Sequence, residues 1–157
     1  MTAQKFYIVL DFDGTVVKHR YPAVGEDIGA VPVLQRVVKN GHQLLLNTMR
    51  SHISDNGDML QPALDWFAAN RLPLYGVNEN PSQKVWTTSP KVYGNIYIDD
   101  AAMGAPLKID DSGAPPFINW EIAAIYLFHY GCLTEQDIIE LVQIGAISRD
   151  LIKIQNR

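Results

Sequence analysis

Asp11 and Asp13 are the residues of this chain best placed by type and spacing to do chemistry. They follow the apolar run Tyr7-Ile8-Val9-Leu10 and precede Gly14 and Thr15. In an extended backbone, residues i and i+2 share a face, so the spacing aims both carboxylates at one place. Two carboxylates at the end of one buried strand repel unless a cation or a shared proton compensates. Gly14 lets the chain turn sharply or approach a ligand closely, and Thr15 adds a hydroxyl at the same mouth. Asp13-Gly14 also suits a two-residue hairpin turn. Taken alone, the pair leaves a metal-assisted nucleophile site and a plain hairpin both open.

The later chain supplies further parts. Asp99-Asp100 follow Asn95-Ile96-Tyr97-Ile98, and Thr48 and Arg50 follow Leu44-Leu45-Leu46-Asn47. Lys84 and Lys91 fall in the polar stretch 82–93. Four carboxylates can hold a hard cation through oxygen, and Mg²⁺ prefers such sites. A lysine and a threonine can hold phosphoryl oxygens. One carboxylate can act as a covalent nucleophile while a second protonates the leaving oxygen. This inventory suits phosphoryl transfer, where alignment and charge neutralisation supply most of the catalysis. His19, Arg20, Arg50 and Asn80 are candidates for gripping the rest of a substrate. For His19 and Arg20 a solvated loop is an equal reading.

These groups need a scaffold, and the apolar pattern predicts one. Val31, Leu34, Val37 and Val38 recur at helical spacing, with Pro32 tolerable in the first turn and Gly41 fitting the end. His42 to Asn47 reads as a buried strand. Asp58 to Asn70 reads as a helix with Leu60, Leu64 and Phe67 on one face. Leu74 to Val77 and Asn95 to Ile98 are the next strands, and Asn78 to Pro81 is a turn-rich loop. Strands alternating with helices predict an α/β fold with a mainly parallel sheet, and ligands bind at the C-terminal ends of such strands. The stretch 104–116 is predicted to be irregular, with Asp110-Asp111 explained by turn chemistry. Asn119 and Thr134 are expected to cap helices, and a last helix is expected from Ser148. The helix after Asn119 is apolar around most of its circumference, through Trp120, Ile122, Ile125, Tyr126, Leu127 and Phe128. Burial by the protein's own sheet and the next helix is the favoured account. The alternative is a homodimer whose second subunit also roofs the site.

Composition narrows the classes. A chain of 157 residues fits one domain, 1–157. A formal net charge of −4 gives no electrostatic reason to expect nucleic acid. The single Cys132 cannot form an intramolecular disulfide. The first apolar run is too short for a signal peptide, and no run is long enough for a membrane span. A cytoplasmic enzyme is the expectation.

Asp11-Phe12-Asp13-Gly14-Thr15 with its preceding strand resembles the first motif of the haloacid dehalogenase (HAD) superfamily. Thr48 after its apolar strand is similar to the second motif and Asp99-Asp100 to the fourth. Lys91 is the better match to the lone lysine of the third, with Lys84 the second choice. The resemblance covers roughly residues 6–107. It implies a Rossmann-like three-layer sandwich and an Mg²⁺-dependent phosphatase acting on a phosphorylated small molecule. By position, Asp11 would be the nucleophile and Asp13 the general acid and then base. Thr48 and Lys91 would hold the phosphoryl group. Asp11, the Asp13 main-chain carbonyl and Asp99 would bind Mg²⁺, with Asp100 a further ligand or an orienter. The gaps between motifs leave no room for a cap domain, and 117–157 would form a helical extension. A nucleotidase of the same superfamily and a non-catalytic binding module on this fold are the alternatives. Receiver domains fit less well, because the third predicted strand ends in Val77-Asn78, without the aspartate they require.

Overall fold

The structure is a computed structural model that describes residues 5–154. Four short strands form its central sheet: β1 (Tyr7–Leu10), β2 (Gln43–Leu46), β3 (Leu74–Val77) and β4 (Ile96–Ile98). Their order is β3-β2-β1-β4, and every pairing is parallel. The expected α/β class with a parallel sheet is therefore present. β1 and β2 are the inner strands, buried on both faces, which is why they read as unbroken apolar runs.

The topology decides what covers each face. β1 to β2 to β3 steps in one direction across the sheet. Right-handed crossovers then place both connecting helices, α1 (Ala30–Lys39) and α2 (Leu60–Ala69), on the same side. Ile8, Leu10, Leu44 and Leu46 point to that side and share one core with Val33, Leu34 and Val37 of α1 and with Ala63 and Phe67 of α2. The return from β3 to β4 runs over the opposite face. That face is covered by a 3-10 helix (Pro81–Val85) and the loop after it, not by an α-helix. Val9 and Leu45 pack there against Val92, while Ser82 Oγ bonds the hydroxyls of Tyr7 at 3.0 Å and Tyr75 at 2.6 Å.

The helix ends follow ordinary capping chemistry. Asp27 Oδ1 accepts from Ala30 N and Val31 N at the start of α1, and Asp58 Oδ1 accepts from Leu60 N and Gln61 N at the start of α2. Asn119 caps α3 (Trp120–His129). Thr134 opens α4 (Glu135–Gln143) with a reciprocal capping box to Asp137. α5 (Arg149–Ile154) is the last helix among the described residues.

Two expectations about the second half need correction. The stretch 104–116 is not wholly irregular, because β5 (Leu107–Lys108) pairs antiparallel with β6 (Phe117–Ile118). The region from 117 onward therefore opens with a strand and becomes helical at Trp120. These strands are two residues long, too short to show periodicity. In α3, Trp120, Ile125 and Leu127 are buried in the common core, Ile122 and Phe128 are half-buried, and Tyr126 is exposed. Most of its apolar surface is thus covered within one chain. No helix among the described residues is long and apolar enough to cross a membrane.

Candidate metal and phosphoryl site

Strand register builds the site. Leu10 pairs with Ile98, so the next residues of β1 and β4, Asp11 and Asp99, emerge side by side. Asp11 N donates to Ile98 O at 3.1 Å and extends the ladder one residue further. Neighbouring strands lie about 4.8 Å apart, which brings these carboxylates within reach of a common ion. Oxygens of Asp11, Asp99 and Asp100 all lie within 4.8 Å of one another. Burial comes first among the causes that push the Asp11 carboxyl up to about 7, with the charges of Asp99, Asp100 and Asp13 adding to it. The cluster is short of positive charge, and its donors are all hard oxygens. Both properties fit Mg²⁺.

The loop after Asp11 is fixed from several directions. Val16 N and Thr15 N donate to Phe12 O, and Gly14 N donates to Val17 O at 2.7 Å. Gly14 has φ of +77°, which favours glycine. A β-carbon there would stand 2.7 Å from Asp100 Oδ2 and closer still to His19 Nε2. Trp120 Nε1 donates to Thr15 O at 2.6 Å, and Ile118 N donates to Gly14 O. β6 and α3 thus brace the loop from behind. Asp100 is held by its main-chain N–H to Thr15 Oγ1 at 3.1 Å and by His19 Nε2 at 3.0 Å from Oδ2.

Asp13 stands outside the three clustered carboxylates, although its charge is felt at Asp11. Its Oδ2 accepts from Arg50 Nε at 2.7 Å and its Oδ1 from Arg50 Nη2 at 2.8 Å. Arg50 is 2 % exposed. Its other N–H groups donate to the carbonyls of Pro22, Ala23 and Met59. All five guanidinium donors are used within the chain, so the expected role of Arg50 as a substrate contact is corrected. Asn80 is corrected on the same grounds. It is fully buried, accepting from Ser82 N and donating to Tyr93 O, and it caps the 3-10 helix.

The remaining candidates sit around the mouth. Thr48 N donates to Asn78 Oδ1 at 2.8 Å, and Thr48 Oγ1 accepts from Arg50 N at 3.2 Å. Asn78, with φ of +51°, directly follows β3, and its support of Thr48 is a role the sequence reading does not assign. Lys91 is exposed, with its Nζ 5.7 Å from the ring centre of Tyr97 on β4. Lys84 pairs with Glu79 at 2.7 Å. Arg20 is exposed, whereas His19 reaches the acidic cluster through Asp100. Asp110 is hydrogen-bonded and ion-paired to Lys18 and forms a turn with Ser112, and these contacts, Lys18 foremost, draw its carboxyl down to about 2. A cavity of about 360 Å³ runs along the outer edge of β4 toward α3, with Asp99 at its border.

No family model matches the chain, and neither does any curated protein. The chain is similar to a solved structure of a conserved protein from Bacteroides thetaiotaomicron, at 32 % identity and a TM-score of 0.61. The match covers 86 % of this chain and 98 % of that one.

Proposed function

This chain belongs to the same family as that conserved Bacteroides thetaiotaomicron protein, and we propose that it is an Mg²⁺-dependent phosphatase of the HAD type, hydrolysing a phosphate monoester through an aspartyl phosphate on Asp11. The observation that carries this reading is the convergence of Asp11, Asp99 and Asp100 oxygens within 4.8 Å at adjacent strand ends. Beside it stand a fourth carboxylate, Asp13, two residues after Asp11, and a hydroxyl, Thr48, just past the end of β2.

Asp11, Asp99 and Asp100 would hold Mg²⁺, whose charge offsets that of the transferring phosphoryl group. An ionised Asp11 oxygen attacks phosphorus, and the ester P–O bond breaks on the opposite side. Asp13 delivers a proton to the departing oxygen and later takes one from the water that attacks the aspartyl phosphate. Phosphate leaves and the Asp11 carboxylate is restored. Thr48 and Lys91 hold phosphoryl oxygens, Lys91 by swinging its flexible stem off Tyr97. The shell made by Thr15 and His19 keeps Asp100 turned toward Asp11.

A screen of sugar phosphates, nucleotides, phosphopeptides and p-nitrophenyl phosphate tests the proposal. Mg²⁺-dependent phosphate release, lost in Asp11→Asn, is expected. Release that persists in Asp11→Asn, or none from any of these substrates, would contradict it.

A further inference from the structure

Arg50 is buried and charged, and every one of its guanidinium donors is bonded within the chain. Its five N–H groups reach Asp13 twice, then Pro22, Ala23 and Met59. Its guanidinium also lies over two rings, 5.0 Å from the centre of Phe12 and 5.2 Å from that of Tyr21. A planar fork bonded at both carboxylate oxygens fixes the plane of that carboxylate as well as its position. The three carbonyls tie the same fork to the loop carrying Tyr21 and to the start of α2.

We infer that Arg50 is the positioning residue for Asp13: it holds the acid–base carboxylate and the Tyr21–Ala23 loop in one fixed geometry beside Asp11. This rests on the phosphatase reading above. Proton transfer is sensitive to small displacements, and a shift of about 1 Å can cost about 10²-fold in rate. Lysine keeps the charge but is a point donor, unable to span two carboxylate oxygens and three carbonyls.

The test compares wild type, Arg50→Lys and Arg50→Ala on p-nitrophenyl phosphate with Mg²⁺. Intact sites are counted by fluorine NMR of beryllium fluoride, which binds the Asp11 carboxylate as a phosphoryl mimic without needing acid–base help. Per intact site, Arg50→Lys is expected to lose about 10²-fold in kcat with KM changed little. Arg50→Ala should regain part of its rate when millimolar guanidinium is added, because the cation refills the site lined by Asp13, Phe12 and Tyr21. A purely structural arginine gives fewer intact sites with unchanged kcat per site, and that result overturns the inference. So does a kcat within about threefold of wild type in Arg50→Lys. If wild type itself neither turns over p-nitrophenyl phosphate nor binds beryllium fluoride, the phosphatase reading fails and takes the inference with it. That outcome is distinct, because it appears before any variant is made.

Discussion

Asp11→Asn should make the metal-free protein more stable at alkaline pH. Burial and three neighbouring carboxylates raise the Asp11 carboxyl from 3.8 to about 7. Between those values the folded chain holds a proton that the unfolded chain does not, so stability falls as the pH rises. The proton-linked contribution is complete below 3.8 and gone once the pH passes about 7. At about 1.4 kcal/mol per pH unit it amounts to at most about 4 kcal/mol. Asp11 is only partly buried, and solvent screening reduces this to about 1–3 kcal/mol. Asparagine is nearly isosteric and carries no charge, so it removes the penalty. For a domain of this size each kcal/mol moves Tm by about 2–4 °C. Thermal melts in EDTA should therefore show Asp11→Asn several degrees above wild type at pH 8, with the gap roughly halved near pH 5 and closing only as the pH falls below 3.8. Adding Mg²⁺ should raise the wild-type Tm and close the gap at pH 8. Equal melting temperatures at pH 8, or the same gap at both pH values, would refute the reasoning.

Gly14→Ala places a methyl group against Asp100 and His19 at a φ of +77°; Mg²⁺ affinity measured by calorimetry should fall at least tenfold, and unchanged affinity would count against the geometry of the loop. Asp13→Asn should lower turnover by about 10²–10⁴-fold while leaving Mg²⁺ affinity within a fewfold, since its carboxylate faces Arg50. Thr134→Ala removes one half of the capping box of α4 and should cost about 1 kcal/mol in urea titrations. Burial pushes the Asp137 carboxyl up, but hydrogen bonds from Asn40 and Thr134 outweigh it and hold the group below its usual value. The resulting stabilisation is present above the ordinary carboxylate range and is lost on acidification. Asp137→Asn should therefore destabilise at pH 7 and make progressively less difference as the pH falls into the acid range.

Strong periodicity and strand ends made much of this molecule legible. β1, β2 and β4 announce themselves because inner or half-buried strands need apolar runs, and the polar residues that follow, Asp11, Asn47-Thr48 and Asp99, break those runs abruptly. Parallel register then brings Asp11 beside Asp99, as expected for neighbouring strands. What stayed hidden depends on contacts between distant residues. Arg50 looks like any exposed loop arginine until Asp13, Pro22, Ala23 and Met59 are seen to surround it. Asn80 sits in a turn-rich stretch, where its type fits a cap as well as a ligand contact. Its Asn-Pro-Ser context was the available signal for a cap. The β5–β6 pair has two residues per strand, too few for a pattern, and its docking on Gly14 becomes visible only in the fold.

The most direct measurement is to trap the covalent intermediate. Wild type is mixed with p-nitrophenyl phosphate and Mg²⁺, quenched in acid, reduced with borohydride and mapped by peptide mass spectrometry. Borohydride converts an aspartyl phosphate to homoserine and leaves free aspartate untouched. The account predicts homoserine at position 11, dependent on Mg²⁺ and absent from Asp11→Asn. Conversion at another aspartate, or turnover with no conversion at position 11 under conditions where Asp13→Asn also accumulates none, would contradict it.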